Sequence, residues 1–513
     1  MAAFLVGLTA FSIWFRTRAA DASFWMDEGL SVGIASYPIL DIPGRLRLDG
    51  SPPLYYMALA AWMGWIGRTE AQTHAFSLLA ATLTIPVGFM IGRALFNVRT
   101  GVAAASLFAS SAFLSVYSQE TRMYTLLALF SLTTCAAFLL AFVAGRRRWV
   151  AVFAVSLAAM LYTHGWGIFF TIGCLAAFAF LLAVGGSDRR RLLVDGLVGF
   201  GAAAVLFAPW LPTLLHQSAN TAAPWALAPG WGVPLQLAAL LGGQRIALLL
   251  LLASALGAVR LFTRSDAGLP PATAAGALDA GAARRALAVL LVVFGVTVAV
   301  GWAVSQFNPA WALRYLAVVV GPLLLAFAVA IARSGWIGIL GLSIAVVASF
   351  SSMFNTEVKL KSNVRNIATE LGSKLEPGTL VIVGQPEQVP LAWYYLPAGM
   401  RFADPMGETK DPRMLDWTNV VDRMRAADPQ DTWERLSRSV PPGGQVLLLR
   451  PLTVGVRNWS APWTFEVRRR SAQWSGLLAS DPRFRREAVS PGFYIPASTV
   501  ADSAVLYRRT PGR

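Results

Sequence analysis

Two neighbouring carboxylates, Asp27 and Glu28, stand in the stretch FWMDEGLS, shortly after the apolar run Ala2–Phe15. A carboxylate at such a boundary can take a proton from an attacking hydroxyl. It can equally cap a short helix beginning near Gly29, where the helix dipole favours negative charge. A second cluster, YSQETRMY (Tyr117–Tyr124), sets Gln119, Glu120 and Arg122 between two apolar runs. An arginine flanked by tyrosines can grip a phosphate in a bidentate fork; Glu120 and Arg122 can also simply pair with each other. The stretch FNPAWALRYL repeats the arginine–aromatic theme with Arg314 and Tyr315, although snorkelling also places single arginines at membrane interfaces. His164, in LYTHGWG, suits a hydrogen bond to a phosphate or sugar, or a satisfied interfacial contact. With only three histidines in the chain, and His74 and His216 in separate segments, a histidine metal cluster is not expected. Carboxylates of Asp27 and Glu120 could hold a hard divalent cation, but no spacing argues for one and no cofactor is implied.

The elements that must position these residues are membrane helices. The chain has 513 residues, 56% hydrophobic and 14% charged, where a soluble protein carries about 25% charged residues. Apolar windows of spanning length fall near 73–95, 101–117, 123–143, 148–162, 165–184, 194–212, 246–262, 286–305, 313–332 and 335–352. With an uncleaved N-terminal helix they predict about eleven crossings. Ala2–Phe15 spans only about 21 Å at 1.5 Å per residue, so the helix either extends into Arg16–Ala20 or begins upstream. The run Leu54–Gly67 opens with Pro52-Pro53 and reads as an interfacial helix, with Tyr55, Tyr56, Trp62 and Trp65 in an aromatic belt.

Arginine placement sets the orientation. GRALFNVRT, GRRRW, SDRRRLL, Arg260–Arg285 and ARSGW all fall on one side if the N-terminus is cytoplasmic, as the positive-inside rule requires. The motifs of the first paragraph then share the exterior side. The net charge of +16 comes from arginines scattered over loops and a tail rich in acids, which does not describe a nucleic-acid surface. Lysine occurs only as Lys359, Lys361, Lys374 and Lys410, a bias of GC-rich bacterial genomes. Cys135 and Cys174 lie inside apolar runs, so a disulfide framework and a CxxC site are both excluded.

The acidic pair, SPPLYY, YSQETRMY and the late exterior RY together resemble the glycosyltransferase C superfamily. Within it they are most similar to family 39, which includes protein O-mannosyltransferases and lipid A aminoarabinose transferases. The resemblance is strongest over residues 20–130. SQETRMY is close to the SQEARMY form of bacterial members, and departs from the eukaryotic pattern in which an acid follows the arginine; here Glu120 precedes it. The resemblance implies an inverting transfer of a sugar from a polyprenyl-phosphate donor to an acceptor hydroxyl. Asp27 would be the base. Arg122 and Arg314 would neutralise the departing phosphate, with Tyr124, His164 and Tyr315 beside them, and Glu28, Gln119 and Glu120 would orient the acceptor or sugar. Mannose is the expected sugar, and the acceptor is a protein, polysaccharide or glycolipid. The expected setting is a bacterial inner membrane with the chemistry outside.

The sequence thus predicts a transmembrane glycosyltransferase domain over 1–353, with the first exterior loop at 18–72, and an exterior soluble α/β domain over 354–513. In the tail, VRNIATELGSKLEPG and PEQVPLAWYYLP read as helices, and TLVIVG, GQVLLLRPL and SAVLYRRT as strands of a partly parallel sheet. PPGG at 441–444 is a turn, with no phosphate-loop pattern around it. Two other readings compete. A transporter or flippase of lipid-linked sugar would carry ionisable groups at mid-membrane depth, and the apolar segments are nearly free of acids. A membrane scaffold would have no use for Asp27.

Overall fold

The computed structural model describes residues 1–184, 188–221, 223–263, 278–354, 361–453, 459–492 and 501–511. The stretch 264–277, within the expected arginine-bearing loop from Arg260 to Arg285, lies outside the described residues. Among the described residues, eight helices are long and apolar enough to cross a membrane. Shorter apolar helices occupy Ala2–Arg16, Leu54–Ile66, Val98–Ala109 and Arg148–Leu161. The protein is a polytopic helical membrane protein with a small sheet domain in its C-terminal part. Two compact units divide it. The first comprises Met1–Ala20, His74–Pro212 and Ala228–Thr356; the second joins Asp21–Thr73 and Thr213–Leu227 to Glu357–Arg513.

In the membrane unit, the expected helix over 101–117 is two helices, Val98–Ala109 and Ala112–Tyr117. Ser111 caps the second by accepting from the Leu114 amide, and the carbonyls left open at the end of the first are taken from elsewhere. Arg16, fully buried at the end of the N-terminal helix, donates to the carbonyl of Phe108 at 2.8 Å and reaches that of Ala109 at 3.4 Å. Ser12 also donates to the Ala109 carbonyl, at 3.2 Å. A cation on the C-terminal end of a helix satisfies both its dipole and its orphan carbonyls. The N-terminal helix runs to Arg16, and this last residue holds the turn that leads toward Tyr117–Tyr124.

Helix Tyr124–Phe138 packs closely on Ala317–Ile331, where Gly321 leaves no space for a Cβ against the backbone of Leu132. The Gly321 amide donates to Ser131 Oγ at 3.2 Å. Helix Gly167–Val184 packs in the same way on Ala280–Phe307. Without water to drive association, such close approach of small residues supplies the packing energy in a membrane.

The second unit is built on a six-stranded sheet of order β3-β2-β1-β4-β6-β5. Its strands are β1 Leu380–Val383, β2 Arg401–Asp404, β3 Gly407–Thr409, β4 Gln445–Pro451, β5 Phe484–Ser490 and β6 Asp502–Arg509. The centre is parallel: Val381 of β1 pairs with Phe402 of β2 and with Leu447 of β4. The outer pairs are antiparallel. Leu380, Ile382, Val446 and Leu448 pack on Trp433, Trp474 and Leu478 in one buried cluster. The expected strands and both expected helices are present, as Val364–Leu371 and Val389–Tyr395. The edge strands β3 and β5, the four-residue strand β2 and the helix Pro462–Ser480 have weaker periodicity and were not anticipated.

The first loop folds with this sheet. Helix Met26–Ala35 begins three residues earlier than expected, so Asp27 and Glu28 occupy its first turn. Gly33 has no room for a Cβ against the Arg413 carbonyl, and Leu30 joins Leu415, Trp417 and Trp463 in a second core cluster. Helix Leu54–Ile66 turns Tyr55, Leu59 and Met63 inward at a spacing of four. Tyr55 and Tyr56 are thus buried and do not belong to an aromatic belt. Trp62 spends its indole N–H on the Gln72 carbonyl at 2.7 Å, and Trp65 alone of the four is largely exposed.

Glu28 is fully buried and faces Lys361, whose Nζ lies 2.8 Å from Oε1 and 2.7 Å from Oε2. Its Oε2 also accepts from the Trp25 amide at 3.2 Å, closing a capping box. Removing one partner of a buried pair strands the other charge, at a cost of about 3–5 kcal/mol. Lys361→Met should therefore lower the unfolding temperature and expose the first loop to protease, and the Lys361→Met/Glu28→Leu double variant should recover much of the loss. Additive losses in the double variant would show that the two groups are not coupled.

Candidate functional site

In the membrane unit, three polar turns meet at one end of the helices they connect. Tyr124 opens its helix immediately after Arg122, His164 precedes the helix from Gly167, and Arg314–Tyr315 form a 3-10 turn before Ala317. The rings of Tyr124, His164 and Tyr315 form the centre of the cluster. His164 and Tyr315 are 4.6 Å apart between centroids, Tyr124 and His164 6.3 Å, and Tyr124 and Tyr315 6.4 Å. Tyr117 packs edge-on against Tyr124 at 5.0 Å. Both guanidiniums lie over aromatic faces, Arg122 at 5.7 Å from the Tyr124 ring and Arg314 at 5.5 Å from that of Tyr315. Such cation–aromatic contact helps hold the charge in place.

The charge state of His164 follows from its position. Burial first, and then the positive charges of Arg122 and Arg314, lower its pKa to about 3. The imidazole is therefore neutral at any ordinary pH. Its Nδ1 accepts from the Trp166 amide at 3.1 Å, which assigns the ring proton to Nε2 and leaves that nitrogen a donor. Trp166 in turn packs against Tyr315 at 5.9 Å and Trp311 at 5.1 Å, and its indole donates to the Ala310 carbonyl. Trp166 and Trp311 were missed as parts of the site; nothing about their spacing separates them from membrane-interface tryptophans.

The remaining membrane-unit candidates have more local partners. Gln119 is buried and donates its amide to the Ser115 carbonyl at 3.0 Å. The Glu120 carbonyl accepts from the Arg122 amide at 2.8 Å, and the Arg122 carbonyl accepts from Ser77 at 3.2 Å. These bonds shape the turn that presents Arg122. His74, buried nearby in sequence, is held by the Ala20 carbonyl at 2.7 Å.

Asp27 and Glu28 belong to the second unit. There they diverge. Glu28 is turned inward onto Lys361 as described, the capping alternative of its two readings, whereas Asp27 is partly exposed. The Asp27 carbonyl accepts from Ser31 at 2.9 Å. Met26 Sδ is 3.5 Å from Gln385 Nε2, and the same amide donates to Glu387 at 2.6 Å. Trp463 donates its indole N–H to both Glu387 oxygens at 3.0 Å. Burial raises the Glu387 pKa, Gln385 and Trp463 partly offset the rise, and the charge of Asp27 adds to it. Asp27 is therefore backed by a second, buried carboxyl that no motif in PEQVP marked. Lys361 left one faint trace in the sequence, as a rare lysine in an arginine-rich chain. Among the described residues, no three His, Cys, Asp or Glu side chains are grouped to hold a metal ion.

Residues 50–216 match the family described as dolichyl-phosphate-mannose-protein mannosyltransferase. Among curated proteins, none matches the sequence significantly. In structure, the chain is similar to ArnT from Cupriavidus metallidurans bound to undecaprenyl phosphate, with a TM-score of 0.60 and 13% identity over 98% of this chain and 97% of that one. It is also similar to the archaeal oligosaccharyltransferase AglB from Archaeoglobus fulgidus, in complex with an inhibitory peptide and a dolichol-phosphate. There the TM-score is 0.53 and identity 11%, over 90% of this chain and 71% of that one. The arabinofuranosyltransferase AftD from Mycobacteria matches all of this chain over 40% of its own length, with a TM-score of 0.54 and 14% identity. The chain thus shares its fold with these three proteins.

An unfolded chain protonates histidine near pH 6.5, whereas the folded protein keeps His164 neutral down to about 3. The stability it contributes is whole above pH 6.5 and is lost as pH falls from there toward 3. His164→Gln should accordingly show a shallower decline of unfolding temperature between pH 7 and 4 than the unaltered protein. Parallel declines would refute the assignment of a neutral imidazole.

Proposed function

We propose that this protein is a membrane glycosyltransferase that moves a sugar from a polyprenyl-phosphate carrier to an acceptor hydroxyl. The single observation carrying the proposal is the convergence of Arg122 and Arg314 on one neutral histidine, between tyrosine faces, at the ends of membrane helices. Two cations and a neutral N–H donor suit an anion that is anchored in lipid. Two structural neighbours hold such an anion, undecaprenyl phosphate and dolichol-phosphate, and the family matched over residues 50–216 is described by a dolichyl-phosphate-mannose donor. Mannose is accordingly the first sugar to test.

In this reading Asp27 takes the proton of the acceptor hydroxyl as its oxygen attacks the anomeric carbon. The bond from that carbon to the phosphate oxygen breaks on the opposite face, so configuration inverts and the lipid phosphate leaves with the electron pair. Arg122 and Arg314 stabilise the charge as it grows, which lowers the barrier rather than merely tightening binding. His164 Nε2–H, Tyr124 and Tyr315 complete the phosphate site. Gln119 and Glu120 shape the turn beside it and orient the sugar. Glu28 holds the helix that presents Asp27. The chemistry faces the exterior of a bacterial inner membrane, the side opposite the arginine-rich loops.

Asp27→Asn should bind polyprenyl-phosphate mannose normally and lose about 10²–10⁴-fold in turnover, the usual worth of a general base. Near-normal turnover with intact binding would remove Asp27 from the reaction. Arg122→Ala and Arg314→Ala should each weaken donor binding by about tenfold or more, since a hydrogen bond to a charged group is worth about 1.5–3 kcal/mol. Unchanged donor affinity in both variants would refute the phosphate site.

A further inference from the structure

A cavity of about 310 Å³ opens at the other end of the helix that Tyr124 begins. Tyr124–Val143 forms one apolar span of 20 residues, so the two ends lie about 30 Å apart. The last turn, Leu139–Val143, is π-helical, with the Ala144 amide bonded to the Leu139 carbonyl at 2.9 Å. Such turns widen a helix locally and recur at functional positions. Here the widened turn puts Phe142 and Val143 on one wall of the cavity, opposite Leu181 and Leu192.

The polar wall is cationic. Arg189 and Arg191, from the first turn of helix Arg189–Phe207, and Arg285, from helix Ala280–Phe307, line it. Arg189 is steadied by the Leu182 carbonyl at 2.7 Å and Arg191 by that of Gly145 at 3.1 Å. Each of these contacts uses one of five guanidinium N–H groups, and the rest are available to a ligand. The two acids in the lining do not cancel this charge. Asp195 is buried, bonded by Arg147 at 2.8 Å and 3.9 Å from Arg191, and Asp188 is largely exposed, 3.9 Å from Arg191; with Arg147 beside them, four arginines still outnumber the two acids.

We infer that this cavity binds the phosphodiester headgroup of an anionic membrane lipid, with its glycerol end against the apolar wall. Three guanidiniums select the phosphate. Four apolar side chains at the end of membrane helices select an amphiphile over a free anion. The volume is at the lower end of small-ligand sites, about 300–1,000 Å³, and fits a headgroup better than a whole lipid, so the acyl chains lie outside. Basic pockets between membrane helices take anionic headgroups for the same reasons. The site is separate from Arg122 and Arg314, and does not depend on what they bind.

The test uses the full-length protein in detergent, with phosphatidylglycerol, phosphatidylcholine and glycerol 3-phosphate as probes, and bound lipid counted by native mass spectrometry. Phosphatidylglycerol should bind in preference to phosphatidylcholine, and glycerol 3-phosphate at equal concentration should not displace it. Arg189→Gln/Arg285→Gln should weaken phosphatidylglycerol binding roughly fivefold for each arginine removed. Leu192→Trp, which fills the cavity and leaves every charge in place, should abolish the preference while sugar transfer is retained. Preference for phosphatidylglycerol that survives both variants would overturn the inference. Displacement by glycerol 3-phosphate would overturn the lipid assignment in favour of a soluble anion.

Discussion

Charge beside hydrocarbon is expensive unless its hydrogen bonds are taken up, and the membrane unit is organised around that cost. Arg16 meets it by closing the carbonyl end of Val98–Ala109 from inside the protein. Arg122 and Arg314 meet it differently. They lean on tyrosine faces beside His164, and burial first, then their positive charge, keeps that imidazole uncharged. A neutral N–H donor between two guanidiniums suits an anion. A phosphate that arrives with its own lipid anchor relieves the repulsion without drawing water into the bundle, which is why the proposed donor suits this place in the fold.

The second unit solves a related problem for carboxylates. Asp27 and Glu28 are adjacent, but successive residues on a helix point about 100° apart, so one can be buried while the other stays at the surface. Glu28 turns inward, pairs with Lys361 and ties the first loop to the sheet domain. Asp27 stays partly exposed, with Glu387 buried behind it. The C-terminal residues therefore supply the lysine that holds the helix bearing Asp27 and the carboxyl that shapes its surroundings.

Much of this was legible in the chain. Hydropathy alone marked the eight long apolar helices, because a span of about twenty apolar residues has few other uses. The polar turns were conspicuous for the opposite reason: Arg122, His164 and Arg314 interrupt sequence that otherwise avoids charge. Strands β1, β4 and β6 were visible as short apolar runs; β3 and β5 were not, since edge strands need little hydrophobic patterning, and the inner strand β2 has only four residues in which to show any. The split at Ser110–Ser111 was hidden within a continuous apolar window, and Tyr55 and Tyr56 looked like belt residues until their helix was found packed on one side.

By itself, then, the sequence determined the class of the protein, its long apolar segments and where polar residues interrupt them, because composition and local periodicity suffice for these. Tertiary structure alone decided which polar residues share a site and what state they are in. The neutrality and tautomer of His164, the pairing of Glu28 with Lys361 across more than three hundred residues, and the π-helical turn beside the arginine cavity all depend on neighbours distant in the chain. Electrostatic and packing energies are set by distance in space, and one-dimensional order carries almost no record of it.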